Sequence, residues 1–110
     1  MAILDRRSGR NRRQNERVSV NIDVEWEAAH GRKNGTISDI STVGCFVLSS
    51  ADLKDGDLVR IFLPVMGGMK IQFWGEVVNH VYEIGFAVRF VEMNKAQKDF
   101  LENLVGTLKK

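Results

Sequence analysis

Two clusters of residues in this chain have the types and spacing to do chemistry. The first is Arg6, Arg7, Arg10, Arg12, Arg13 and Arg17, six arginines and no lysine within the first 17 residues. A guanidinium presents a planar fork of donors that grips phosphates and guanine edges, which a lysine ammonium cannot do. An anionic partner for this segment follows. The second cluster is Asp39-Ile40-Ser41-Thr42-Val43-Gly44. Its carboxylate accepts through two oxygens, its hydroxyl adds a polar contact, and its glycine permits a positive backbone angle or the close approach of a ligand. Asp, Ser and Gly are also ordinary turn residues, so this motif alone reads equally well as a turn.

Other chemistries find little support. His30 and His80 stand far apart with no cysteine at metal-ligand spacing, which argues against a zinc site. Gly67-Gly68 lacks the lysine and helix of a phosphate loop. Asp52, Asp55 and Asp57 cluster where a turn would select them. Cys45, between Gly44 and Phe46, reads as a small core residue rather than a nucleophile. The expectation is a binding protein, not an enzyme.

The 110 residues fit one domain, and 44% apolar against 27% charged is an ordinary globular balance. Net charge is +2, but unevenly spread. Residues 1–17 set six arginines against Asp5 and Glu16 for a net of +4, while the remainder carries ten basic and twelve acidic residues for a net of −2. No apolar run approaches the roughly 18 residues of a membrane span, and the arginine-rich start lacks the apolar stretch of a signal peptide. A single cysteine excludes an internal disulfide, so a reducing, cytoplasmic setting is the default expectation.

The elements that must position these residues are readable from periodicity. After Leu4 the first 17 residues hold almost nothing apolar, so they are expected to be mobile when nothing is bound. Val18, Val20, Ile22, Val24 and Trp26 then alternate with polar residues, a half-buried strand. Ala28–Asn34 reads as a turn, followed by strands at Gly35–Ile40 and Gly44–Ser49 joined by Ser41–Val43. Leu58–Leu63 is a further strand, closed by Pro64. Gly67-Gly68 marks a hairpin, Met69–Tyr82 a long strand bent or bulged at Gly75, and Gly85–Val91 the last strand. Ala96, Phe100, Leu101, Leu104, Val105 and Leu108 then fall on one helical stripe behind a cap at Asn94. The expected fold is mainly β: a small antiparallel six-stranded barrel over residues 18–110 with a C-terminal helix, preceded by the flexible basic segment 1–17.

In this order and context, Arg12-Arg13-Gln14-Asn15-Glu16-Arg17 and Asp39-x-Ser41-x-x-Gly44 resemble the two signature motifs of the PilZ domain, a bacterial cyclic di-GMP receptor. Those motifs are an Arg-x-x-x-Arg, often preceded by another Arg, and an Asp/Asn-x-Ser-x-x-Gly. The strand order, the Gly85-Phe86-Ala87-Val88-Arg89-Phe90 segment and the closing helix also look like that family. The resemblance implies a ligand-binding set of Arg12, Arg13, Arg17, Asp39, Ser41 and Gly44, with Trp74 and Arg89 as further candidates. It implies cyclic di-GMP as ligand, with Arg12 of the type that takes an intercalated pair, and no cofactor. Phosphates and guanine O6/N7 suit the arginines, whereas guanine N1–H and N2–H₂ suit Asp39. With the motifs on one domain, the signal is expected to pass to a downstream protein once the arginine segment orders around the ligand.

Two alternatives stand beside this reading. A single-stranded nucleic-acid-binding barrel would use the arginines on phosphates and Trp26, Phe73 and Trp74 on bases, though the net negative remainder disfavours it. A PilZ-like scaffold that binds proteins without a ligand is the other.

Overall fold

The alternation that begins at Val18 becomes the first wall of a closed barrel. In the computed structural model, which describes residues 17–108, the elements are β1 (Val18–Ala28), β2 (Gly31–Ile40), β3 (Gly44–Leu48), β4 (Leu58–Pro64), β5 (Lys70–Val81), β6 (Gly85–Val91) and α1 (Lys95–Leu108). All neighbouring strands are antiparallel, in the ring order β1-β2-β3-β6-β5-β4. The ring closes where Glu25, Trp26 and Glu27 pair with Phe62, Ile61 and Arg60.

Inward side chains of period two fill the barrel. Trp26, Ile37, Val47, Val59, Ile61, Phe73, Val77, Phe86 and Val88 are all buried. Trp26 meets Phe86 edge-on at 4.9 Å, and its indole N–H donates to Ser49 Oγ at 3.0 Å, so the one polar atom of that ring is satisfied. Full removal of such side chains from water is worth about 1.5–3 kcal/mol each.

The helix begins where the sequence says it should. Asn94 Oδ1 accepts from the Gln97 N–H at 2.8 Å and Gln97 Oε1 accepts from the Asn94 N–H at 2.8 Å, a reciprocal capping box. Leu101 and Val105 join the barrel core, Phe100 packs 6.2 Å from Phe73, and Gln97 Nε2 donates to the Gln72 carbonyl at 2.6 Å. Among the described residues no helix is long and apolar enough to cross a membrane.

Three local expectations are corrected. The turn expected over Ala28–Asn34 is only Ala29-His30, because Gly31 takes φ 120° and lets β2 start four residues early. Gly75 is not the irregular point of β5: the register shift lies between Val77 and Asn79, while a Cβ at buried Gly75 would come within 2.4 Å of Val88 Cγ1. The link Ser41–Val43 also proves to be more than a spacer.

Candidate functional site

Ladder irregularities place Asp39 where β2 is least regular. The β1–β2 register shifts between Ser19 and Ile22, and the β2–β3 register shifts between Ile37 and Asp39. Such bulges re-aim side chains. Asp39 is cross-strand to Ser19 on one side and Phe46 on the other, with its carboxylate one-third exposed. Arg17, immediately before β1, donates from Nη1 to Asp39 Oδ1 at 2.6 Å. The last arginine of the first motif and the carboxylate of the second are therefore in direct contact. Arg12 and Arg13 lie outside the described residues.

Ser41 takes a different part from the one expected. Its side chain should share a face with Asp39 if the strand continued, but β2 ends at Ile40 and Ser41 is fully buried. Its hydroxyl oxygen accepts from the N–H groups of Val43 at 3.1 Å and Gly44 at 3.2 Å, and its own N–H donates to the Gly44 carbonyl at 2.8 Å. Ser41 thus shapes the turn instead of facing solvent. Gly44 likewise serves the scaffold: its φ is not in the left-handed region, and a Cβ there would lie 2.2 Å from the Val88 carbonyl oxygen. The backbone of β6 approaches Gly44 closely. A further bond, from the Phe90 N–H to the Val43 carbonyl at 2.8 Å, fastens the turn to the same strand.

Beneath Asp39, Cys45 is wholly buried, and its thiol is pushed up to about 12, first by burial and then by the Asp39 carboxylate. It is a neutral, inert floor.

Arg89 is cross-strand to Gly44 on β6, more than half exposed, and ion-paired with Glu76 on β5. It stands two strands from Asp39, on the order of 10 Å across the sheet surface. Trp74 is exposed on the outer surface, as its phase implied, but β5 is diametrically opposite β2 in the six-strand ring. Trp74 is therefore not brought to Arg17 and Asp39. Its ring lies instead 5.0 Å from the Arg60 guanidinium, in a cluster where Arg32 and Arg60 also flank Phe62 and Arg60 pairs with Glu27 at 2.7 Å. Trp26 and Phe73, offered as base-stacking residues in the nucleic-acid alternative, are core side chains, which leaves Trp74 alone of the three on the surface.

Phe46 is the residue that sequence reasoning passed over. It is half-buried, directly cross-strand to Asp39, and flanked on β6 by Ala87. Its phase, opposite to Cys45 and Val47, was the available signal. The result is a carboxylate and a guanidinium beside a flat apolar strip, an arrangement that suits a planar heterocycle carrying both charge and donors. Among the described residues no group of His, Cys, Asp or Glu could hold a metal ion.

Comparisons with known proteins identify the family and the fold. The family model for the PilZ domain matches residues 11–106. Among solved structures, the PilZ domain of CeSA from a cellulose-synthesizing bacterium superposes with a TM-score of 0.68 at 24% identity, covering 86% of this chain and 99% of that one. The PilZ domain of YcgR from Escherichia coli, solved with c-di-GMP, gives 0.73 at 15% identity over 89% and 92% of the two chains. The MrkH–c-di-GMP complex of K. pneumonia gives 0.68 at 17%, covering 86% of this chain and 51% of the other. No curated protein matches the sequence.

Proposed function

The chain belongs to the PilZ domain family, and from that premise we propose that it is a receptor for cyclic di-GMP. The observation that carries the reading is the contact between Arg17 and Asp39, which joins the two motifs at one point on the barrel surface. Arg13 and Arg17 grip phosphate oxygens and guanine O6/N7 through charge-assisted forks. Asp39 accepts from guanine N1–H and N2–H₂. Ser41 and Gly44 contribute by holding the turn that fixes Asp39, and Phe46 supplies an apolar floor beside it. Arg12, the arginine before the Arg-x-x-x-Arg, favours an intercalated ligand pair.

Binding orders the arginine segment, residues 1–17, around the ligand, at an entropic cost that the new contacts must exceed. The surface made by segment and ligand is then the one a downstream protein recognises. The related PilZ domain of YcgR and the MrkH protein, both solved with c-di-GMP, support the ligand class.

Titration calorimetry with cyclic di-GMP tests this. Saturable binding is expected, with about two ligands per chain if the pair forms, and Arg13→Ala should remove most of the affinity. No binding by the intact chain would reject the receptor reading.

A further inference from the structure

The Arg17–Asp39 pair raises a question that the receptor reading leaves open. The two groups assigned to opposite edges of a guanine are bound to each other at 2.6 Å. Any ligand that recruits the Arg17 fork must first take it from Asp39.

We infer that this ion pair is a guanine filter, admitting only a base that can replace the guanidinium on the carboxylate it leaves behind. The inference rests on the receptor reading above. A guanine edge presents two adjacent donors, N1–H and N2–H₂, to the carboxylate oxygens that Arg17 vacates. The same purine offers O6 and N7, and the ligand its phosphates, to the released fork. Both partners of the broken pair are thereby re-satisfied.

An adenine edge cannot complete this exchange. It has one amino donor beside an N1 acceptor, so a carboxylate oxygen faces a lone pair. An adenine ligand either leaves the pair closed and forgoes Arg17, or opens it and strands Asp39.

The surroundings of Asp39 make stranding costly. Its side chain is only 32% exposed, Ile40 and Cys45 beside it are fully buried, and the Cys45 thiol beneath stays neutral. Among the described residues, Arg17 is the cation the structure pairs with it. Leaving a partly buried charge without a partner costs more than never having had one. Asp39 therefore acts twice, once by contacting guanine and once by withholding Arg17 from other bases.

The second action separates this inference from simple contact. Asp39→Ala should weaken cyclic di-GMP about tenfold or more, the value of a lost bidentate base contact. The same change should strengthen cyclic di-AMP about two- to fivefold, the range that an exposed ion pair is worth, because Arg17 is then free. Asp39→Asn, close in size, presents an amide whose oxygen and NH2 also match the adenine edge, so it should strengthen cyclic di-AMP at least as much as Asp39→Ala while costing cyclic di-GMP less.

The experiment is calorimetry of the wild-type chain and both variants against each dinucleotide, with thermal melts to verify folding. Opposite shifts for the two ligands support the filter. Cyclic di-AMP affinity unchanged in both variants would reduce Asp39 to a contact residue and overturn it. Weakening of both ligands in both variants would make Asp39 a positioning residue for Arg17, which also overturns it. Absence of cyclic di-GMP binding by the wild-type chain would instead bring down the receptor reading beneath.

Discussion

Ser41 and Gly44 are bonded to each other in both directions. The Ser41 N–H donates to the Gly44 carbonyl at 2.8 Å, and the Gly44 N–H donates to the Ser41 hydroxyl oxygen at 3.2 Å. These bonds turn β2 into β3 within three residues and hold Asp39 at the strand end. Ser41→Ala leaves the buried Gly44 N–H and the Val43 N–H without their acceptor. The expected cost is about 1–3 kcal/mol, a fall in Tm on the order of 5–15 °C. Thermal unfolding followed by circular dichroism measures it. An unchanged Tm would mean that the hydroxyl does not hold the turn.

Gly44 and Gly106 should respond oppositely to the same substitution. A methyl at Gly44 meets the Val88 carbonyl oxygen, which cannot recede without opening the β3–β6 ladder, so Gly44→Ala should destabilise by about 1–3 kcal/mol. A methyl at Gly106, in the last turns of α1, meets open space and should stabilise by up to about 1 kcal/mol. Denaturant midpoints of the two variants provide the comparison.

Cys45 predicts how stability changes in alkali. In the folded chain its thiol is raised from the ordinary 9.0 to about 12, first by burial. Above the ordinary value the unfolded chain gives up this proton while the folded chain keeps it, so stability falls as pH rises through that window. The slope approaches 1.4 kcal/mol per pH unit for one group. Cys45→Ala lacks the group, so the stability difference between wild type and variant should shrink from pH 9 towards pH 11. Melts across that range, at matched ionic strength, provide the check, and a pH-independent difference would contradict the burial argument.

Arg17→Ala should leave the fold almost untouched. The pair is about half exposed at Arg17 and one-third exposed at Asp39, so its loss should cost about 1 kcal/mol, the upper end of what such surface pairs contribute. Its loss should nevertheless weaken cyclic di-GMP at least tenfold, because a charge-assisted contact to the ligand disappears. A melt and a titration on the same preparation separate the two effects. Unfolding of the variant would make Arg17 a structural residue.

Much of the barrel was legible because period-two alternation is local. Val18 through Trp26 declared an inner face, and the capped stripe from Asn94 to Leu108 declared the helix. A barrel was expected, but the strand pair that closes it was not legible, since the pairing of Glu25–Glu27 with Arg60–Phe62 joins segments some thirty-five residues apart. The same non-local order explains Trp74. Its outward phase could be read, but not that β3 and β6 separate its strand from Asp39. The burial of Ser41 was not legible, because the link Ser41–Val43 has no periodicity to show that the turn draws Ser41 inward beside Ile40. Side-chain chemistry pointed to the arginines and to Asp39, the motif resemblance singled out Arg17 among them, and the structure brings Arg17 and Asp39 into contact.

The most direct test is a nuclear magnetic resonance titration of the full chain with cyclic di-GMP, observing the Arg17 side-chain N–H and the Asp39 backbone amide together. Both signals should move saturably at the same ligand concentration, since one molecule takes both partners of the pair. If saturating ligand leaves both where they were, the arginine and the carboxylate do not form the binding site.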